Sequence, residues 1–251
     1  MSGHTDALTA EELLLVRDHK RIFYVEQFAL REGEVVALVG PNGAGKTSLL
    51  LTLALLQKPT GGRIHFNGTP VNGRNILQLR RQMAVVFQEP LLMDTTVLGN
   101  VMTGLRIRGV PKDEARRRAE EWLERLGISH LAKRSALRLS GGEAQRVSLA
   151  RAFALEPRIL FMDEPFSSLD YPTRTALLEE LGTILKETKI TTLFVTHDYT
   201  EIPFLAQRVA VMLDGRLIKT GGISEVLGTE AIPKRIKAPW EEDDRKTSDL
   251  P

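Results

Sequence analysis

Eight consecutive residues, Gly40-Pro41-Asn42-Gly43-Ala44-Gly45-Lys46-Thr47, constrain this chain more than any other stretch. They follow the pattern G-x-x-x-x-G-K-[ST], which carries meaning only between a buried strand and a helix. Both flanks are present. Glu34–Val39 (EVVALV) is a short apolar, valine-rich run that reads as a buried strand. Thr47–Leu56 is an aliphatic run that reads as a helix, broken by Pro59-Thr60-Gly61-Gly62. In such a turn the glycines let backbone N–H groups point inward around the oxygens of a phosphate, and the helix N-terminus adds partial positive charge. Lys46 would reach the β- and γ-phosphates and the Thr47 hydroxyl would ligate Mg²⁺. Gly40 through Thr47, with Ser48 in the first helical turn, are therefore the candidate nucleotide-binding residues.

Around this loop the chain alternates strand and helix, which argues for a parallel sheet. Met83–Phe87, Ile159–Met162, Thr191–Thr196 and Val209–Leu213 read as further strands, and Arg174–Lys186 as a helix. Leu13–Val16 and Ile22–Leu30 read as short strands of an N-terminal sheet, preceded by a polar tail over residues 1–12, and Arg63–Phe66 reads as a further strand. From Glu89 to Ser135 the texture becomes helical, with Val97–Gly109 and Lys112–Gly127 the clearest segments and Ala144–Ala154 a third helix beyond. The fold class expected is α/β: a P-loop core with an N-terminal antiparallel β-subdomain and an α-helical subdomain inserted over about 89–157. Residues 1–230 form one domain in this reading and 231–251 a charged, flexible tail. In the second helix Ala115, Ala119, Trp122, Leu123 and Leu126 share one face, while Arg116, Arg117 and Arg118 interleave with acids, the mark of a solvated face.

Two further stretches carry chemistry. The strand Ile159–Met162 ends in Asp163-Glu164, and adjacent carboxylates at the tip of a buried strand do not serve stability. Asp163 fits a second contact to Mg²⁺, and Glu164 is placed to orient or deprotonate a water attacking the γ-phosphate. Leu139-Ser140-Gly141-Gly142-Glu143 precedes the third helix. Ser140 is a good N-cap, and the two glycines leave backbone N–H groups exposed, so a second anion site at a helix N-terminus is expected.

Composition removes other classes. The chain of 251 residues has no cysteine, which excludes disulfides, thiol nucleophiles and thiolate metal sites. Lys+Arg minus Asp+Glu is 34 − 32 = +2, which gives no electrostatic footprint for nucleic acid. The start lacks the cationic and apolar regions of a secretory signal. The longest aliphatic run, Leu49–Leu56, is far short of the ~20 residues of a membrane span.

The LSGGE stretch, followed by Gln145-Arg146, resembles the signature of ATP-binding-cassette ATPases, and the family's other elements appear in order. Gln88 resembles the Q-loop glutamine, Ser167-Ser168-Leu169-Asp170 the D-loop and His197 the switch histidine, a resemblance covering Leu13 to Leu227. It implies a head-to-tail pair in which the P-loop of one copy and the LSGGE of the other clamp one ATP with Mg²⁺. Ser140, Gly141, Gly142 and Glu143 would then complete a partner's site, and a homodimer would carry two competent sites. Gln88 would sense the γ-phosphate and Mg²⁺, His197 would hold the γ-phosphate and help position Glu164, and Asp170 would report across the interface. Many members stack adenine on an aromatic side chain about twenty positions before the loop; here that register falls at His19.

The resemblance further implies ATP hydrolysis powering separate integral membrane permease subunits. A solute-binding protein would be an indirect partner, and the chain would sit peripherally on the cytoplasmic face of the plasma membrane. Glu89–Met93 would contribute an apolar docking patch for the permease. The cassette is most similar to importers of tungstate- or molybdate-type oxyanions, with phosphate, sulfate and polar amino acid importers as alternatives. Some of these relatives carry a long C-terminal regulatory domain, and the stretch after the last strand leaves no room for one. A soluble, non-transport cassette ATPase is the remaining alternative; a kinase or GTPase is disfavoured by LSGGE and the late His197.

Overall fold

A computed structural model describes residues 5–228. The expected tail at 231–251 lies outside the described residues. In chain order the strands are β1 (Asp6–Arg17), β2 (Lys20–Arg31), β3 (Val35–Val39), β4 (Gly61–Phe66), β5 (Thr69–Pro70), β6 (Met83–Val86), β7 (Ile159–Asp163), β8 (Thr191–Val195), β9 (Arg208–Leu213) and β10 (Arg216–Gly222). The helices are α1 (Lys46–Leu53), α2 (Ile76–Arg80), α3 (Val97–Ile107), α4 (Lys112–Arg125), α5 (Gly141–Phe153), α6 (Tyr171–Thr188), α7 (Ile202–Leu205) and α8 (Ile223–Leu227).

The strands form two sheets. The first has the order β2-β1-β4-β5 and is antiparallel. The second has the order β10-β9-β3-β8-β7-β6, parallel throughout except for β10 at one edge. Strand β3 is buried on both faces, as a central parallel strand must be. Its alternation divides the core. Val35, Ala37 and Val39 point into a core shared with α3 to α6, whereas Val36 and Leu38 face a second core with α1 and the antiparallel sheet. Helix α1 thus lies between the two sheets, with Leu49, Leu50 and Leu53 fully buried.

Helices α3, α4 and α5 pack on one another. Ala115, Ala119, Trp122, Leu123 and Leu126 are all buried there, and the Trp122 ring stacks on Phe153 at 4.8 Å. The arginines of α4 pair with acids on the exposed side: Arg116 with Glu120, Arg117 with Glu114 and Glu121, and Arg118 with Glu114.

The expected polar tail is overturned from Asp6 onward. β1 begins at Asp6 and is hydrogen-bonded on both sides, and Ala7, Leu8 and Ala10 are buried. A bulge hides this in the sequence. Glu12 has φ 49°, and the β1–β4 register shifts between Glu11 and Leu14. The inward phase Leu8, Ala10 therefore gives way to Leu13, Leu15, so no single alternation runs through the strand. Opposite the bulge sits Gly62, with φ 91°, where a Cβ would fall 2.4 Å from the Glu12 carbonyl oxygen.

Helix α6 starts at Tyr171, three residues before the position expected. Asp170 caps it, its side chain accepting from the Thr173 N–H at 3.0 Å, and Pro172 stands in its first turn. Strand β10 was not anticipated. No helix among the described residues is long and apolar enough to cross a membrane.

Candidate functional site

The strand order gathers the chemistry. Gly40 follows β3, Gln88 follows β6, Asp163 and Glu164 end β7, and His197 follows β8. Leu38 pairs with Val195, Asp163 with Val195, and Val86 with Met162. All four segments therefore leave the sheet at its carboxyl edge side by side, where open α/β sheets bind ligands.

The loop Gly40–Gly45 is held by its neighbours. Gly40 has φ 152°, and a Cβ there would lie 2.0 Å from the Met212 carbonyl oxygen, so only glycine fits. The Gly215 N–H donates to the Ala44 carbonyl at 3.1 Å, which ties the loop to the β9–β10 turn. Gly45, at φ 97°, is the N-cap of α1, and no side chain caps that helix start. Lys46 is buried at 5% exposure, yet its ammonium donates only to the carbonyls of Gly40 (2.9 Å) and Pro41 (3.1 Å). A buried cation with neutral partners, beside uncapped N–H groups, is a place prepared for an anion.

Beside it the Thr47 hydroxyl donates to Asp163 Oδ1 at 2.9 Å, across 116 residues of sequence. Burial pushes the Asp163 carboxyl above its ordinary range, against the pull of Thr47 and Lys46. These are hard oxygen donors, and the described residues contain no cluster of three or more acidic, His or Cys side chains that could hold a metal. The arrangement suits Mg²⁺, which binds through one or two protein oxygens and completes its shell with phosphates and water.

Glu164 adopts φ 45°, an uncommon conformation for a non-glycine residue. Its N–H donates to the Val195 carbonyl at 3.0 Å, and Ser167 Oγ donates to the Glu164 carbonyl at 3.0 Å. The backbone so held directs Glu164 Oε2 to within 3.1 Å of His197 Nδ1. A proton on Nδ1 satisfies that contact and leaves Nε2 available on the far side of the ring. Gln88 is exposed, two residues past Val86.

The remaining sequence-predicted residues lie elsewhere. Ser140 and Glu143 form a capping box: the Ser140 N–H donates to Glu143 Oε2 at 2.7 Å and the Glu143 N–H to Ser140 Oγ at 3.3 Å. The Ser140 N–H, foremost, holds the Glu143 carboxyl below its ordinary range. Gly142 packs on Thr173, where a Cβ would fall 2.7 Å from Cγ2, and Gly141 approaches the Ser168 carbonyl. Asp170, read as a reporter, spends both oxygens on its own helix, accepting from the N–H and hydroxyl of Thr173 at 3.0 Å each. His19 stands at the exposed tip of the β1–β2 hairpin, with φ 60° after Asp18 at φ 50°, the pair of positive angles of a type I′ turn. Three residues on, Ile22 meets the loop, its carbonyl lying 3.1 Å from where a Gly45 Cβ would stand.

Sequence reasoning missed the surroundings of His197. Arg174, Thr196, Asp198 and Glu201 line a small cleft with Glu164, Ser167 and His197. The one-dimensional signal available was Asp198-x-Thr200, a local cap in which Asp198 accepts from the Thr200 N–H at 2.9 Å.

Comparison with known proteins gives the family. Residues 26–167 match the family described as "ABC transporter". The chain is 43% identical over 205 residues to a molybdate/tungstate import ATP-binding protein of Thermococcus kodakarensis, covering 81% of this chain and 62% of that one. It is 42% identical over 209 residues to a sulfate/thiosulfate import ATP-binding protein of Mesorhizobium japonicum, covering 81% of this chain and 60% of that one. The chain thus spans about three fifths of the length of these relatives. Among solved structures it is similar to CbiO1 from Clostridium perfringens, described as part of the ABC transporter complex CbiONQ (TM-score 0.83, 32% identity, 91% and 93% of the two chains). It is also similar to a dimeric, post-hydrolysis ATP-binding cassette bound to ADP and Pi (TM-score 0.76, 27% identity, 86% and 98% of the two chains).

Proposed function

Because the chain belongs to the ABC transporter family, we propose that it binds MgATP at the carboxyl edge of its parallel sheet and hydrolyses it. The observation that carries this reading is the Glu164–His197 contact of 3.1 Å, one residue from the Thr47–Asp163 pair. The Gly40–Gly45 loop and Lys46 bind the phosphates. Thr47, Asp163 and Gln88 would hold Mg²⁺, which would supply neutralising charge to the β- and γ-phosphates. Glu164 orients a water and accepts its proton as the water oxygen bonds to the γ-phosphorus and the bond to the β–γ bridging oxygen breaks. His197 fixes the Glu164 carboxylate through Nδ1 and offers Nε2 to the γ-phosphate. His19 flanks the adenine at the hairpin tip.

The working unit we infer is a head-to-tail homodimer. Ser140–Gly142 of one copy would close on the nucleotide of the other, with Glu143 framing the cap and Asp170 beside the joint. In this reading the dimer powers integral membrane permease subunits at the cytoplasmic face of the membrane. The segment Glu89–Met93 supports this. Leu91 and Met93 are exposed (58% and 38%), while Leu92 packs on the helical core. Arg151 donates to the carbonyls of Pro90 and Leu91, and Asn100 brackets Met93 on both backbone atoms. Rigidly held apolar side chains in solvent suit a docking surface. The cargo we propose is a tetrahedral oxyanion, tungstate or molybdate first and sulfate second, as the names of the relatives suggest.

Glu164→Gln tests the chemistry. It should bind ATP with unchanged affinity, hydrolyse it about 10²–10⁴-fold more slowly, and accumulate an ATP-dependent dimer by light scattering. Hydrolysis retained at the wild-type rate removes Glu164 from the role of base. A gentle-detergent pull-down tests the transporter: a polytopic protein in stoichiometric yield supports it, and ribosomes or DNA in its place contradict it.

A further inference from the structure

His197 has little holding its own ring. The side chain is half exposed, at 54%, and its hydrogen-bond partner is Glu164. Its position is set instead by its two neighbours in sequence. On one side the Thr196 hydroxyl donates to Glu201 Oε2 at 2.7 Å, and the Thr196 N–H donates to the Leu38 carbonyl at 3.2 Å. Glu201 is only 3% exposed, so this bond lies inside the protein. On the other side Asp198 Oδ2 accepts from Arg174 Nη1 at 2.9 Å, and the Asp198 N–H donates back to Thr196 Oγ1 at 2.9 Å.

Arg174 reaches in two directions. Besides Asp198, its Nη2 donates to the Leu169 carbonyl at 3.1 Å, in the segment that runs from Glu164 to the Asp170 cap. The third nitrogen, Nε, is buried with no hydrogen-bond partner among the described residues. A guanidinium that donates to both segments links them directly. The planar fork spans the two partners at a fixed separation, which a flexible ammonium would not. Ser167 closes the circuit, its hydroxyl on the Glu164 carbonyl.

We propose that Arg174 and Asp198 act as a pair of positioning residues for the His197–Glu164 contact. They tie the chain after His197 to the chain after Glu164, so that movement in Leu169–Asp170 changes the geometry of the reacting pair. Neither is among the residues assigned to the nucleotide above; they act through His197. Thr196 and Glu201 anchor the opposite side, so the histidine is suspended between two clamps, one buried and one spanning to α6. The coupling travels through a contiguous set of bonds, in addition to the Glu164 N–H to Val195 bond at the sheet edge. The inference rests on the ATPase reading given above.

The test is steady-state ATP hydrolysis by wild type, Arg174→Ala, Arg174→Lys, Asp198→Asn and the double variant Arg174→Ala/Asp198→Asn. Nucleotide affinity and thermal midpoint are measured on each. Asparagine keeps the Thr200 cap while weakening the ion pair, so Asp198→Asn reports even where Arg174→Ala fails to fold. The single variants should lose about tenfold or more in kcat with KM for ATP within about twofold, the sign of lost alignment rather than lost binding. Arg174→Lys should recover part of the loss. The double variant should lose no more than the worse single variant, because both residues serve one link. Wild-type kcat in Arg174→Ala or Asp198→Asn, losses that multiply in the double variant, or a fall in affinity matching the fall in rate overturns the positioning role. Absence of hydrolysis in the wild type overturns the ATPase reading instead, so the two failures are distinguishable.

Discussion

Glycines mark the amino ends of both α1 and α5, before the helix in one case and in its first turn in the other, and the sequence suggests an anion site at each, yet they are built in opposite ways. At α1 the N-cap is Gly45, no side chain caps the helix, and a buried lysine sits among neutral carbonyls. At α5 the cap is complete: Ser140 and Glu143 satisfy each other's N–H groups, and a carboxylate stands where an anion would approach. The first is open toward a ligand and the second is closed by its own side chains. The start of α1 can therefore bind phosphate within one chain. The start of α5 has only its remaining backbone donors to offer, beside the Glu143 carboxylate, so the role proposed for it requires a second copy to bring the nucleotide.

The largest effect that could break this contrast is at α1. Lys46→Ala should weaken ATP binding by about 100-fold, roughly 3 kcal/mol, since it deletes charge-assisted bonds to phosphate. Unchanged affinity in a calorimetric titration would put the anion elsewhere. At α5, Ser140→Ala should leave the ATP affinity of the single chain untouched and cost about 1 kcal/mol of stability in urea unfolding, as a lost N-cap does. A large loss of affinity in the monomer would mean that the two helix starts serve one site within the same chain.

The smallest expected effect is that of Glu143→Gln, under about 1 kcal/mol, because the half-buried carboxylate adds only its charge to the cap. Its sign with pH sharpens the comparison. The folded carboxyl is held below its ordinary range by the Ser140 N–H. Its contribution is therefore present above the unfolded pKa and lost as pH falls through the folded one. The wild-type and variant thermal midpoints should differ at pH 7 and converge on acidification below about 4.5. Curves that stay parallel would show that the charge has no part in the cap.

Much of the site was legible in one dimension because its parts are local. The turn of Gly40–Thr47 needs only its glycines and its flanks. The strand Ile159–Asp163 announces itself by an apolar run that ends in acids. Other parts were obscured for identifiable reasons. The bulge at Glu12 put two inward phases into one strand, so Asp6–Glu12 looked like tail. Asp170 carries a legible cap signal, an Asx followed two residues later by Pro172. Arg174 and Glu201 belong to no local pattern. The Leu169 and Thr196 contacts each span only five residues, but the Arg174–Asp198 pair spans 24 and is chosen by how α6 and the chain after β8 pack.

The sequence by itself determined the kinds of group available: a phosphate-cradling turn, a hydroxyl and two carboxylates, a late histidine and a capped second helix. Each depends on residues within a few positions of one another, where backbone geometry follows directly from glycine, proline and side-chain oxygens. The tertiary structure decided which of them meet. Residues 47 and 163 share a hydrogen bond, as do 164 and 197, because β7 lies between β6 and β8, and β8 between β7 and β3. That order follows from how the two cores close around β3, a long-range packing outcome. No periodicity along the chain encodes it.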